Sequence, residues 1–196
     1  VVLAVCGSVL RNYLITYSSL PSEPLIAMVP VSLALRDKDS GDQGGNQVSM
    51  VLANLGTHVA DPATRMRIVQ DSMNHAKKRL ATLSKEELVN YSALVLAPSL
   101  LHQLTGLAPK MQAFNVVISN VPGPRKTLYL NGARLEGMYP VSIPVDRNIL
   151  NLTLLSYEDK LEFGVIGCRR NLPHLQKMLD YIELGITDLE RAAGLR

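Results

Sequence analysis

Four histidines, two cysteines, a glycine-rich stretch and a strand-like serine are the residues of this chain whose types could carry chemistry. Histidine is the usual proton carrier at neutral pH, but a general base needs its partners within reach. His58 stands three residues before Asp61-Pro62, which reads as a strand-to-helix turn with Asp61 as cap. His75 lies beside Lys77, Lys78 and Arg79 on a solvated helical face, and His102 has the interior setting of Leu101, Leu104 and Leu107. His174 falls in the first turn of the last expected helix, and the sequence suggests no partner for it. Cys6 and Cys168 both sit in apolar segments and read as buried thiols of a reducing compartment. Neither has metal-like spacing to the other or to a histidine, so no metal is expected. Gly41 to Gly45 holds three glycines but lacks the lysine-threonine ending and following helix of a phosphate-cradling loop. No G-x-S-x-G elbow or Cys-x-x-Cys pair occurs.

The segment that calls for an explanation is Ser119-Asn120-Val121-Pro122-Gly123-Pro124-Arg125. It is either a strand ending in a rigid turn, with Asn120 tying down the backbone, or a buried strand that delivers a hydroxyl and an amide to an interface. In both readings the two prolines fix the exit.

The elements that must position it follow from periodicity. Apolar residues at 2, 5, 6, 9, 10, 13, 14 and 17 predict a helix over Val1 to Tyr17. No capping residue precedes that helix, so the natural polypeptide is expected to continue toward the N-terminus. Pro24 to Leu33 reads as a buried strand with Pro30 at an edge or bulge. Arg36 to Gly45 reads as a mobile polar loop, and Asn46 to Leu55 as a second strand. Asp61-Pro62 opens a helix to about Thr82, and the Ser84/Glu87 capping box opens another that should stop at Pro98. A short helix between Ser99 and Pro109 and a strand over Phe114 to Val121 come next. Asn131-Gly132 signals a hairpin between Leu128 to Leu130 and Ala133 to Met138. Strands over Leu150 to Tyr157 and Lys160 to Cys168 flank a Glu158-Asp159 turn, and a helix from about Leu172 to Ala193 closes the chain. The class is α/β, a two-layer sandwich with a mixed, partly antiparallel sheet.

Composition bounds the rest. The 196 residues are 47% hydrophobic and 19% charged with a formal charge of +3, a balance typical of folded domains and too weakly basic for nucleic acid. A chain of this size buries roughly 70% of its unfolded surface and needs no staple. No apolar run approaches the about 18 residues of a spanning helix, while a mean hydropathy of +0.12 leaves apolar surface for a second domain or a lipid.

The stretch FNVVISNVPGPR, with LYLNGARLEGMYPVS and LNLTLLSYEDKLEFGV after it, resembles the C-terminal domain of the bacterial wax ester synthase/diacylglycerol acyltransferase family. The opening VVLAVCGSVLRNYL resembles the helix that follows an Asn-Asp pair in that family, and GNQVSMVLANL resembles its first long strand. The resemblance runs the length of the chain. It implies an acyl-CoA-dependent O-acyltransferase that esterifies long-chain fatty alcohols to wax esters or diacylglycerol to triacylglycerol. It also implies a chloramphenicol acetyltransferase-like half, residues 1–196 forming the C-terminal acyltransferase domain across a tunnel from an N-terminal domain. The family's HHxxxDG motif, whose second histidine is the base, is absent from this chain, so no general base is assigned here. The chloramphenicol acetyltransferase pattern Phe-x-x-Val-Ser-x-x-Pro resembles Phe114 to Pro122, which implies that Ser119 supports the oxyanion, with Asn120 as its support. Val141, Ile143 and the helices over 93 to 107 are the expected acyl-chain walls, and Arg125 and Lys126 the expected contacts to CoA phosphates. No cofactor is expected, acyl-CoA being a substrate. The expected location is cytoplasmic, with peripheral attachment to a membrane or lipid-body surface. The competing readings are a non-catalytic binding domain on the same sandwich and a condensation-type transferase using carrier-bound substrates.

Overall fold

The computed structural model describes residues 1–32, 48–105, 112–144 and 148–195. Helix α1 (Val2–Thr16) is followed by strands β1 (Ile26–Ser32) and β2 (Val48–Asn54), then by α2 (Pro62–Thr82) and α3 (Lys85–Thr105). Strand β3 (Val116–Val121), the short pair β4 (Tyr129–Leu130) and β5 (Ala133–Arg134), strands β6 (Leu150–Tyr157) and β7 (Lys160–Gly167), and α4 (Lys177–Ala192) complete the order. The five long strands form one mixed sheet, β2-β1-β3-β6-β7, in which β3 runs parallel to both neighbours and the outer pairs are antiparallel.

Side chains alternate across a strand, so each strand offers two faces. One face carries Ala27, Val29, Val51, Ala53, Val116, Ile118, Leu152 and Leu154 against Val5, Val9 and Tyr13 of α1 and Met178 of α4. Burying each Val, Leu, Ile or Met among them contributes about 1.5–3 kcal/mol. The other face carries Met28, Leu52 and Val117, and α3 covers only this end of it, through Tyr91, Val95 and Leu96. The sandwich is therefore helices on one full face, with α3 as a local cover on the second. Pro30 is tolerated inside β1 because the ladder to β3 ends at Met28, leaving β2 as the strand's one partner at that point.

Local chemistry sets the boundaries. The Asp61 carboxylate accepts the Thr64 N–H at 2.8 Å, with Pro62 at the first helical position. Ser84 and Glu87 cap α3 reciprocally: Glu87 Oε2 accepts the Ser84 N–H at 2.7 Å and Ser84 Oγ accepts the Glu87 N–H at 3.3 Å. Asn131 and Gly132 take φ of 50° and 83°, as the two-residue hairpin turn requires. Behind α1, the buried Arg65 guanidinium donates to the Val59 and Ala60 carbonyls and to Ser8 Oγ, while Arg11 donates to Thr57 O. Burial first, and the Arg11 charge second, draw the Arg65 pKa below the ordinary guanidinium range.

Three expectations are corrected. The helix after Ser84 does not stop at Pro98 but continues to Thr105: a proline removes one backbone bond, and the helix-forming residues on both sides carry the helix across. The last helix begins at Lys177, not Leu172. Pro173 disfavours helical geometry at Leu172, whose N–H bonds to Cys168 O, and the chain reaches α4 through short turns. Cys6 is buried, which pushes its thiol up to about 12, but Cys168 is exposed. The loop expected over Arg36 to Gly45 and the end of the expected helix at Pro109 lie outside the described residues. Among the described residues no helix is long and apolar enough to cross a membrane.

Asp61 and Glu87 are both held below the usual carboxylate range, Asp61 first by the Thr64 hydroxyl and Glu87 first by the Ser84 N–H. A lowered folded value means that their stabilisation is complete above the unfolded pKa of about 4 and is lost as pH falls through the folded value. The double variant Asp61→Ala/Glu87→Ala is therefore expected to melt a few degrees below the parent at neutral pH, with the gap closing toward about pH 2. Circular-dichroism melts across that range check it.

Candidate functional site

Strand β3 pairs in register with β6, Val117 against Asn151, Ser119 against Thr153 and Val121 against Leu155. Alternation puts these six on the face away from α1 and α4. Strand β7 extends the face, with Gly164 opposite Thr153. The segment 139–144 crosses it so closely that a Cβ on Gly164 would lie 1.8 Å from Pro140 O. Ser142 of that segment points inward, its Oγ 2.9 Å from Thr153 Oγ1, which lies 2.8 Å from Asn151 Oδ1. A hydroxyl has one proton, so Thr153 gives its own to the Asn151 carbonyl oxygen and accepts from Ser142. Ser119 Oγ is half-buried beside this chain of hydroxyls and makes no hydrogen bond to another described residue, which leaves its proton free to donate.

The turn that ends β3 is clamped onto the β6–β7 turn. Gly123 N–H donates to Ser156 Oγ at 3.0 Å, and a Cβ on Gly123 would lie 2.0 Å from Ser156 O, so only glycine fits. The buried Tyr157 hydroxyl accepts the Leu128 N–H at 3.0 Å and donates to Leu135 O at 2.9 Å, tying down both ends of the β4–β5 hairpin. Glu158 accepts from the Thr127 hydroxyl and pairs with Arg134 at 3.6 Å.

Against this geometry the expected site residues divide. Ser119 lies on the open face. Asn120, its neighbour in a strand, is exposed on the opposite side of the sheet, so its side chain does not lie beside the Ser119 hydroxyl. Val141 and Ile143 flank Ser142 and point away from the sheet, 77% and 86% exposed, which makes them surface rather than core. Leu94, Leu101 and Leu104 of α3 are also exposed. Arg125 and Lys126 are exposed on the clamped turn. The three histidines with described side chains do not converge: His58 and His75 are exposed, with His75 Nδ1 2.8 Å from Asp71 O, and His174 stacks on Tyr17 with ring centres 5.0 Å apart. The His102 side chain is outside the described ones. Among the described residues no group of three or more His, Cys, Asp or Glu is placed to hold a metal ion.

Residues 44–190 match the WS/DGAT C-terminal domain family. The chain belongs to this family. It is 50% identical over 183 residues to the O-acyltransferase WSD of Acinetobacter baylyi, a match that covers 93% of this chain and 39% of that protein. The solved wax ester synthase/diacylglycerol acyltransferase of Marinobacter aquaeolei VT8 superposes with a TM-score of 0.85 at 52% identity, covering 98% of this chain and 43% of that one. The starter condensation domain of rhizomide synthetase RzmA shares the fold alone, with a TM-score of 0.51 at 11% identity over 95% of this chain and 42% of that one. The chain thus spans about two-fifths of the length of these relatives.

In this WS/DGAT C-terminal domain, sequence reasoning missed Ser142, Asn151 and Thr153. The signal was present for two of them: Asn151 and Thr153 are polar residues two apart inside the apolar run LNLTLL, the spacing that assigns both to one strand face. Ser142 joins them by a long-range crossing that no local pattern announces. Gly123→Ala should cost about 1–3 kcal/mol because the new methyl meets rigid backbone. Ser156→Ala, which deletes only a hydrogen bond, should cost about 1 kcal/mol. Urea unfolding of the two variants checks the order.

Proposed function

We propose that the chain is the C-terminal part of an acyl-CoA-dependent O-acyltransferase that makes wax esters from long-chain fatty alcohols and triacylglycerol from diacylglycerol, its open sheet face forming one wall of the substrate tunnel. The observation that carries this reading is the match along nearly the whole chain to an O-acyltransferase and to a wax ester synthase/diacylglycerol acyltransferase.

The transfer needs a base, an oxyanion donor and a dry apolar path. A histidine of the N-terminal domain, outside this chain, takes the acceptor's hydroxyl proton. The oxygen attacks the thioester carbonyl, the carbonyl oxygen takes up the negative charge, and the carbon–sulfur bond then breaks as the CoA thiolate leaves and recovers the proton. Ser119 donates to that oxyanion. Its proton has no other taker among the described residues, and the neighbouring Thr153 hydroxyl is already bonded on both sides. One such donor is worth about 3 kcal/mol where water is excluded.

The exposed Val141 and Ile143, with the outer residues of α3, line the acyl path, where each buried methylene contributes about 0.8 kcal/mol. Arg125 and Lys126, held on a clamped turn, meet CoA phosphates. The reaction takes no cofactor and no metal, acyl-CoA being a substrate. The apolar surface rests on the cytoplasmic membrane or a lipid body, where both acceptors partition.

In the full-length protein, Ser119→Ala should lower kcat about 10²–10³-fold for transfer from palmitoyl-CoA to hexadecanol, followed by CoA release. An unchanged kcat would remove the oxyanion role. Reversing the charge at Arg125 and Lys126 together should raise the KM for acyl-CoA several-fold while sparing kcat, and an unchanged KM would exclude the phosphate contact.

A further inference from the structure

A cavity of about 290 Å³ lies on the helix side of the sheet, beneath the C-terminal half of α1. Its floor is Leu10, Tyr13, Val116, Leu150 and Met178, all buried. Its mouth is at the exposed Ser19, Asn115 and Ile149. Protein interiors pack to crystal-like density and keep few voids larger than a water molecule. Enclosed aliphatic cavities of about half this size accept apolar guests, and this one is open to a guest at its mouth.

Its volume and described lining select the guest. The volume sits at the lower bound of small-molecule sites and corresponds to about ten methylene-sized groups, taking the roughly 30 Å³ share of a liquid water molecule as the unit. That is room for one alkyl chain of this length. Among the described residues no Lys, Arg, His, Asp or Glu lines it, and its polar lining groups, Ser19, Gln112 and Asn115, are neutral. A carboxylate or phosphate head would lose hydration here without gaining a charge partner among the described residues. Val116, in the floor, alternates with Val117, so the sheet itself separates this cavity from the Ser119 face. We propose that the cavity binds the tail of a neutral single-chain amphiphile, such as a primary alcohol of about ten carbons, on the opposite face of the sheet from Ser119. The inference does not rest on acyl transfer.

The methionines report on it directly, because Met178 lines the cavity whereas Met28 and Met50 pack on the other face of the sheet. Titrating the methyl-¹³C-methionine-labelled full-length protein with 1-decanol should shift the Met178 resonance and leave Met28 and Met50 in place. Decanoate at pH 8 should bind at least tenfold more weakly. Leu14→Trp, at the half-buried rim, should abolish the Met178 shift with the melting curve retained. Shifts at Met28 or Met50 without Met178, or equal affinity for decanoate, would overturn the proposal. So would undiminished decanol affinity in Leu14→Trp. The wild-type titration decides the matter even if that variant does not fold.

Discussion

The two-residue period of β3 is the constraint on which the rest of the structure depends. Ile118 and Ser119 are adjacent, and the strand sends the first into a core where it is 1% exposed and the second to the open face. A slip of one residue against β1 and β6 would exchange them, burying a hydroxyl among Leu152, Leu154 and the α1 side chains while exposing an isoleucine. The parallel pairing on both sides of β3 does not forbid such a slip by itself. What pins the register is the end of the strand, where Gly123 sits so tightly on Ser156 that no other residue fits.

That contact begins a larger clamp. Past the two prolines the chain must leave the sheet, form a hairpin and return across β6 and β7. Nothing in a two-stranded hairpin of two residues a side would hold it there. Tyr157 supplies the hold, because its ring is buried and its hydroxyl serves one end of the hairpin as acceptor and the other as donor. Glu158, in a left-handed turn at φ 54°, adds the contacts to Thr127 and Arg134. The returning segment then lays Ser142 on Thr153 and leaves Val141 and Ile143 outward. The positions of Ser119 and of the apolar side chains beside it thus trace to one tight β-turn.

Legibility in the sequence follows the range of the interaction. Asp61, the Ser84/Glu87 pair and Asn131-Gly132 act within a few residues, and each appears where its type predicts. Strands β6 and β7 are set by apolar runs around a short turn; β6 matches the expected bounds and β7 ends at Gly167, one residue before the expected Cys168. Pro98 and Pro173 show the reverse case. A proline states a local cost, and whether the helix continues depends on what flanks and packs around it, so one was absorbed and the other delayed a helix. At the candidate site, the stretch ISNVPGP joins Ser119 and Asn120 in sequence, and strand alternation turns their side chains to opposite faces. Thr153 was readable from its spacing to Asn151. The crossing of Ser142 and the tightness at Gly164 were not, because both depend on segments that meet only after folding.

The two faces of the sheet carry different kinds of constraint. The helix side needs volume and apolarity, and many combinations of Val, Leu, Ile and Ala supply them. That tolerance accounts for a fold shared with a condensation domain at 11% identity. The open face holds particular atoms: a glycine where backbone crosses at Gly164, a hydroxyl at Thr153 bonded to Ser142 and Asn151, and, under the proposed function, a donor hydroxyl at Ser119. Substitution there changes hydrogen-bond accounting rather than volume, and a buried polar group left without its partner costs more than a lost methyl contact. Under the proposed function, specificity of chemistry is therefore written on the side of the sheet where α3 leaves β6 uncovered. The helix side is left free to vary, and even to keep a cavity, without disturbing Ser119.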